Sequence, residues 1–323
     1  MQISEIQTII QKIKANMEKV VVGKSEKIDL ILAALLAKGH VLLEDVPGTG
    51  KTVLAKSLAR SLDTKFKRIQ FTPDLLPSDL IGINYYNQKE GEFVFREGAL
   101  FTNILLADEI NRATPRTQSS LLESMEEKQI TVDGHTYVLE QPFFVIATEN
   151  PVETQGTFPL PEAQLDRFLL QLSMGYTDKK DSIEILRRFV NEVPAENVEA
   201  VCSREQLLDM QESVKAVTIH PDLAAYTVDI VEQTRTYEGV QLGVSPRGNL
   251  ALLKAAQALA AIRGRGFVTP DDIKDLAVPV LGHRIILRGS QRNKSTQIIN
   301  MIGDILESVE VPTEEWNLDE QKG

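Results

Sequence analysis

The sequence predicts an α/β protein in which an αβα core, built on a five-stranded parallel sheet, is followed by an all-α lid domain. Three observations carry this expectation. A short apolar run, Val41-Leu42-Leu43, leads through a glycine-rich turn into the helix-forming stretch Leu54-Ala55-Lys56-Ser57-Leu58-Ala59. Four more apolar runs of strand length, near residues 66–71, 103–107, 143–148 and 168–172, alternate with helical patterns. Alternation of this kind places helices on both faces of a parallel sheet. Beyond about Thr177 no strand pattern remains, and every periodic segment reads as helix.

From the N-terminus, Ile3, Ile6, Ile10, Ile13 and Met17 recur every three or four residues, which predicts an amphipathic helix over residues 1–19. Mixed Lys and Glu on its other face favour packing onto the protein's own core over contact with a membrane. The core is expected over 20–176, interrupted by two β-hairpins. One flanks Asp133-Gly134, a turn in which both positions need φ > 0. The other pairs Tyr85-Tyr86 with Phe93-Val94-Phe95 around Gly91. Such hairpins either cover a sheet edge or act as mobile elements that touch a partner. The lid is expected over 177–310 as six helices near 179–190, 204–216, 221–236, 246–263, 270–281 and 296–308. Residues 311–323 read as a polar tail.

With 42% hydrophobic and 25% charged residues, the 323-residue chain has the balance of a soluble globular protein with a sizeable core. A formal net charge of −11 argues against a surface built mainly to hold nucleic acid, although an assembly can still hide a local basic channel. Cys202 is the only cysteine, so no intrachain disulfide forms, and His40, His135, His220 and His283 are too scattered for a metal site. The longest apolar stretch, Leu30 to Ala37, is far short of a membrane span, and no signal-peptide core is visible; a cytoplasmic location is expected.

The chemistry is concentrated at strand ends. Pro47-Gly48-Thr49-Gly50-Lys51-Thr52-Val53 joins the first strand to the helix after it. Glycines there let successive backbone N–H groups approach a polyphosphate, and the helix N-terminus adds the positive end of its dipole. Lys51 reaches the β and γ phosphates, and the Thr52 hydroxyl joins a Mg²⁺ shell. A nucleoside triphosphate is the expected ligand. Asp45 stands where the general P-loop pattern has glycine, so the loop must turn without that freedom.

Asp108 and Glu109 end the buried run Ile104-Leu105-Leu106-Ala107, at the edge of an α/β sheet where ligands bind. Asp108 is placed to hold the water shell of Mg²⁺, and Glu109 to orient and polarise an attacking water. Asn150 follows another strand and is either a turn residue before Pro151 or an amide that hydrogen-bonds the γ phosphate and the water. Arg167 opens the last strand; by itself it reads as a surface salt bridge, though a guanidinium there can also reach a neighbour's phosphate. In Ser245-Pro246-Arg247 a helix start is written out, with the Arg247 cation opposing the helix dipole, which points weakly to a nearby anion such as bound phosphate.

In this order the motifs resemble those of the AAA+ ATPases, and their wording is similar to the MoxR family within them. The resemblance is carried by Glu44-Asp45-Val46-Pro47-Gly48-Thr49-Gly50-Lys51-Thr52, by Gln70 to Asp79, by Asp108-Glu109-Ile110-Asn111-Arg112-Ala113, and by Leu160 to Phe168. It runs from roughly Val20 to Leu306, and Asp45 is the residue that family usually shows. It implies ATP and Mg²⁺, with Pro47 through Val53 together with Val22 and Gly23 contacting the nucleotide, and Thr52 and Asp108 as metal ligands. It implies Glu109 beside Asp108 as the Walker B pair and Asn150 as sensor 1. Arg167 would be an arginine finger acting in trans, and Arg247 sensor 2 in the lid, on ATP that bridges core and lid of one protomer.

The hairpins match the helix-2 insert and the pre-sensor-1 hairpin of the clade. Rings, commonly hexamers, are implied, acting like chaperones that remodel or activate a partner protein, often one with a von Willebrand factor A domain on another chain. Two other classes compete: a nucleic-acid motor, disfavoured by the acidic balance, and a nucleotide-dependent switch with little turnover, disfavoured by retention of both Asp108 and Glu109. No membrane insertion and no nucleic acid are expected. Gln70 and Thr72 lie where a residue coupling client binding to hydrolysis would sit, and the sequence does not choose between them.

Overall fold

The computed structural model describes residues 1–44, 48–150, 156–190, 198–289 and 294–312. Helix α1 (Ile3–Glu18) opens the chain, with Ile6, Ile10, Ile13 and Met17 buried along the face that the periodicity marks. Helix α2 (Ser25–Leu36) is apolar on nearly every side and accordingly buried, so the longest apolar stretch of the sequence is a core helix. The core continues through β1 (Val41–Glu44), α3 (Lys51–Ser61), β2 (Phe66–Gln70) and α4 (Pro77–Ile81). Next come β3 (Gly82–Asn87), β4 (Glu92–Glu97), β5 (Ile104–Asp108), α5 (Pro115–Glu127), β6 (Gln129–Val132) and β7 (His135–Val138). It ends with β8 (Phe144–Glu149), α6 (Glu162–Leu165) and β9 (Leu170–Leu172).

The five strands β2, β5, β8, β1 and β9 lie side by side in that order, all parallel. Successive residues feed opposite faces: Val41 and Leu43 belong to the core shared with α1, α2 and α3, while Leu42 belongs to the core under α5. Both hairpins form. β3 pairs with β4, and β6 pairs with β7 around Asp133 (φ 50°) and Gly134 (φ 81°), the left-handed pair that the turn requires. The stacked rings of Phe95 and Tyr137, 4.2 Å apart, and a hydrogen bond from Asn84 Nδ2 to Asp133 Oδ2 (2.8 Å) tie the two hairpins together.

The C-terminal half holds α7 (Lys179–Phe189), α8 (Arg204–Ser213), α9 (Pro221–Thr236) and β10 (Val240–Leu242). It continues through α10 (Pro246–Ile262), α11 (Pro270–Leu281), β11 (Ile286–Leu287) and α12 (Lys294–Ser308). The expected all-α lid therefore needs one correction, because β10 and β11 pair antiparallel. Strands of three and two residues are too short to print an alternating pattern, and each obtains its partner from a distant segment after the chain turns at Gly239 (φ 86°). Helix α10 packs on both α1 and α2, so Leu252, Ala255 and Ala256 belong to the same hydrophobic cluster as Ile10 and Leu32.

Candidate functional site

Helix α3 begins immediately after Gly50, whose φ of 83°, like the 85° of Gly48, lies in the left-handed region. Among the described residues, chain neighbours aside, no heavy atom lies within 4 Å of where a side chain would sit on either glycine, which leaves the backbone there room for a ligand. Lys51 and Thr52 are the first two residues of α3, at the positive end of the helix dipole that favours an anion. Beside them a cavity of ≈ 290 Å³ is walled by Val20, Val21, Val22, Val53, Ile185 and Tyr176. Pro47 lies outside the described residues. Gly23 (φ 71°) sits behind Val22, with the Asp181 carboxylate of α7 packed where a side chain would project. Lys24, which sequence reasoning passed over, donates to the carbonyls of Gly175 (3.2 Å) and Tyr176 (3.0 Å) and so pins the segment entering α7 against the cavity.

At the same end of the sheet, β5 delivers Asp108 and Glu109. Glu109 adopts φ 57°, an uncommon conformation for a non-glycine residue. The Thr148 hydroxyl at the end of β8 fixes this turn: it donates to Asp108 Oδ1 (2.7 Å) and accepts from the Glu109 N–H (2.8 Å). Arg68 on edge strand β2 donates to Asp108 Oδ2 through Nη2 (2.7 Å) and Nε (3.2 Å). Gln70 Nε2 (2.9 Å) and Arg112 Nη1 (3.1 Å) both donate to Glu109 Oε2. Between Gln70 and Thr72, the structure thus links Gln70 to the Glu109 carboxylate.

Asn150 follows β8, which runs between β5 and β1, so it emerges buried between the glycine loop and the carboxylate pair. Next to it the sequence hid a further pair: Glu44 and Glu149 are register partners at the ends of β1 and β8. Burial first, and then the Glu44 charge, push the Glu149 carboxyl up to about 7. Burial also raises Glu44, partly offset by Lys294, and Gln171 Nε2 donates to Glu44 Oε2 (2.9 Å). Glu44 opens the stretch that carries the family resemblance but has no role assigned there, and only the strand register reveals its proximity to Glu149.

A Mg²⁺ ion carried by a polyphosphate usually keeps several waters and takes only one or two protein oxygens. The Thr52 hydroxyl and the Asp108 carboxylate are hard oxygen donors of that type, and they fit such an ion. No cluster of three or more His, Cys, Asp or Glu capable of holding a metal by itself exists among the described residues.

Arg167 and Arg247 lie elsewhere. Arg167 precedes β9, and the Leu169 N–H that follows it donates to the carbonyl of His40, the residue before β1. Arg167 is therefore at the opposite end of the sheet from Gly48. Arg247 joins it there, in the first turn of α10 behind the predicted Ser245 cap and Pro246. The two guanidiniums share one carboxylate, that of Glu126 at the end of α5, at 3.3 Å and 2.9 Å respectively. The anion inferred from the helix dipole is thus, in this chain, Glu126.

The placement of Arg247 within reach of its own protomer's nucleotide is corrected by this geometry: it lines a second cavity of ≈ 320 Å³ that shares no lining residue with the first. The physical reason is the seat of the lid, which packs through α10 onto α1 and α2 and thereby holds the α10 N-terminus at the far edge of the core. Arg284 completes this edge, donating to Asp166 Oδ1 (2.6 Å) and the Phe168 carbonyl (2.7 Å).

Comparison with known proteins agrees with this architecture. Residues 40–170 match the ATPase family associated with various cellular activities (AAA), and residues 232–302 match the AAA lid domain. The chain is 49% identical to YeaC of Bacillus subtilis (strain 168) over 96% of this chain and 97% of that protein. It is 38% identical to Chaperone MoxR1 of Mycobacterium tuberculosis over 96% of this chain and 84% of that protein. A crystal structure of a protein from Cytophaga hutchinsonii, 39% identical, superposes with a TM-score of 0.88 over 96% of both chains. A glycine loop, a strand-end carboxylate pair and a helical lid, arranged as in relatives that match along almost the whole chain, make this protein a member of the MoxR family of AAA+ ATPases.

Proposed function

We propose that the protein hydrolyses Mg²⁺-bound ATP in a homo-oligomeric ring, most simply a hexamer, and uses the cycle as a chaperone-like remodeller or activator of a partner protein in the cytoplasm. One observation carries the enzymatic part: an open glycine loop, the Asp108 and Glu109 carboxylates and the buried Asn150 converge on one end of a parallel sheet. Backbone N–H groups of 48–52 and the Lys51 ammonium bind the phosphates, and Val22, Val53 and Ile185 supply an apolar wall for the base. Thr52 and Asp108 would hold the ion, whose chemistry when bound would be to offset the negative charge of the phosphates. Arg68 donates to Asp108 Oδ2, so its guanidinium would share that carboxylate with a bound ion or swing away from it. Glu109 polarises the attacking water; Gln70 and Arg112 both grip Oε2, leaving Oε1 to face it. Asn150 hydrogen-bonds the γ phosphate and the same water.

Arg167 and Arg247, at the far edge, act together on the nucleotide of a neighbour, which a head-to-tail ring brings against that edge. An arginine supplied this way is worth on the order of 10³ to 10⁵ in rate. Loss of the γ phosphate frees Glu109 and its link to Gln70, and the chain runs on from Gln70 through α4 into the β3–β4 hairpin, so the two joined hairpins are the moving parts offered to a client. The chaperone name of the mycobacterial relative supports a protein client; a von Willebrand factor A domain on another chain is the partner proposed. Lys51→Ala should abolish nucleotide binding, while Glu109→Gln should bind ATP yet barely hydrolyse it. Equal loss of binding in both variants would refute these roles.

A further inference from the structure

The second cavity is strongly basic in a strongly acidic chain. Its wall carries six cations (Lys38, Lys128, Arg167, Arg247, Lys254 and Arg284) against two carboxylates, Glu126 and Asp166. His40 adds no charge at neutral pH, because burial drops its imidazole to about 4. The net charge of the whole protein is −11, so this concentration of positive charge is local.

The carboxylates are already committed. Glu126 bridges Arg167 and Arg247, and Asp166 accepts from Arg284. Lys38 and Lys215 both pair with Glu212. Lys128 and Lys254 make no ion pair among the described residues. Lys128 holds a left-handed conformation (φ 54°) at the end of α5, and burial followed by repulsion from Lys38, Lys254 and Lys215 lowers its ammonium pKa. Lys254 lies seven residues after Arg247 on α10, two turns along the same helix face, so both point to one cavity. The dipole of α5 accounts for a lysine at its C-terminus, but not for a second, unpaired lysine brought to it from the lid. Like charges gathered without partners are unfavourable until an anion joins them.

Taking the neighbour's nucleotide at this edge as proposed above, we propose that Lys128 and Lys254 are two further ligands for its phosphate chain, beside Arg167 and Arg247. The protomer's own nucleotide is excluded as occupant by distance: β1 separates His40 at one cavity from the glycine loop at the other, about 13 Å of strand. A heterologous contact joins unlike faces, and here one face would carry a polyanion and the other a surplus of cations.

Resting on ATP hydrolysis at the P-loop, the inference is tested by complementation. Lys128→Ala/Lys254→Ala, which keeps its P-loop, should lose roughly ten- to hundredfold of its ATPase rate, the worth of lost charge-assisted hydrogen bonds. Lys51→Ala, which keeps its cavity, should be inactive alone. Co-expressed in equal amounts they should recover about a quarter of the wild-type rate, since one interface in four then joins an intact P-loop to an intact cavity. Lys128→Arg/Lys254→Arg should stay active and shows that loss in the alanine pair is not a folding failure.

An alanine pair as active as wild type, or one that Lys51→Ala fails to rescue while it does rescue Arg167→Ala, would overturn the lysine assignment and leave the arginines in place. Failure to rescue either variant, or absence of wild-type turnover, would instead overturn the trans site or the ATPase reading beneath it. Single-stranded DNA that stimulates the wild type and not the alanine pair would hand the cavity to nucleic acid and also refute the proposal.

Discussion

Replacing Glu149 by glutamine should stabilise the nucleotide-free protein at alkaline pH and leave it unchanged in acid. Glu149 faces Glu44 across one strand spacing, about 4.8 Å, at the end of two buried parallel strands. Burial raises Glu44 too, but the Lys294 charge partly offsets this and Gln171 donates to its carboxylate, so the charge settles on Glu44 and the proton on Glu149. With Glu149 raised from 4.5 to about 7, the folded state binds a proton that the unfolded chain has released throughout that interval. Stability therefore falls as pH rises from 4.5 to 7, the reverse of an ordinary salt-bridged carboxylate.

At 1.36 kcal/mol per pH unit the interval amounts to about 3 kcal/mol, an upper figure because Glu44 shares the titration. Glutamine keeps the neutral shape and removes the dependence, so the variant should gain up to about 3 kcal/mol at pH 8, on the order of 5 °C in melting temperature, and less than about 1 kcal/mol at pH 5. Paired thermal unfolding of wild type and variant at pH 5, 6, 7 and 8 isolates the effect, since every other group cancels in the difference. A difference that is flat with pH, or a variant less stable at pH 8, would refute the shared-proton account.

Three further outcomes are expected. Thr148→Val, which removes the hydroxyl joining Asp108 to the Glu109 backbone, should lower kcat by about tenfold or more while ATP affinity stays near wild type; single-turnover kinetics and nucleotide titration separate the two, and a change confined to affinity would contradict the geometry. Asp272→Ala should cost roughly 3 to 5 kcal/mol, read by denaturant unfolding, because Asp272 is fully buried and binds Arg263, Arg265 and the Thr269 N–H. The Asp272 carboxyl is held below its ordinary value, chiefly by Arg265 working against burial, so its contribution is present above about pH 3.8 and lost as pH falls through the lower folded value. Gly23→Ala should cost on the order of 1 to 2 kcal/mol from its positive φ and should weaken nucleotide binding by displacing Asp181; unchanged affinity would separate Gly23 from the site.

The core strands and both hairpins were legible in the sequence because their signals are local: an apolar run of strand length, or an Asp-Gly turn, needs no distant partner to be recognised. Glycine loop and carboxylate pair were legible for the same reason. What the sequence hid is what depends on register or on how the lid is seated. Glu44 and Glu149 meet only because β1 and β8 are neighbours in parallel register, and Thr148 reaches Asp108 only across β5 and β8. The seat of α10 on α1 and α2 decides which end of the sheet Arg247 serves, and no local pattern around Ser245 encodes it. Likewise Thr269-Pro270-Asp271-Asp272 is, as a local pattern, only an acidic helix start, whereas in the fold Asp272 both caps α11 and anchors two arginines from the end of α10 and the turn beyond it.

The claim on which the functional account turns is that each active site is finished by a neighbour. It is tested most directly by ATPase rate per protomer across a wide range of protein concentration, with Mg²⁺ and saturating ATP, for wild type and Arg167→Ala. The account predicts a specific rate that climbs with concentration in the wild type and stays low at every concentration in the variant. A flat profile, shared by both proteins at the same rate, would contradict it.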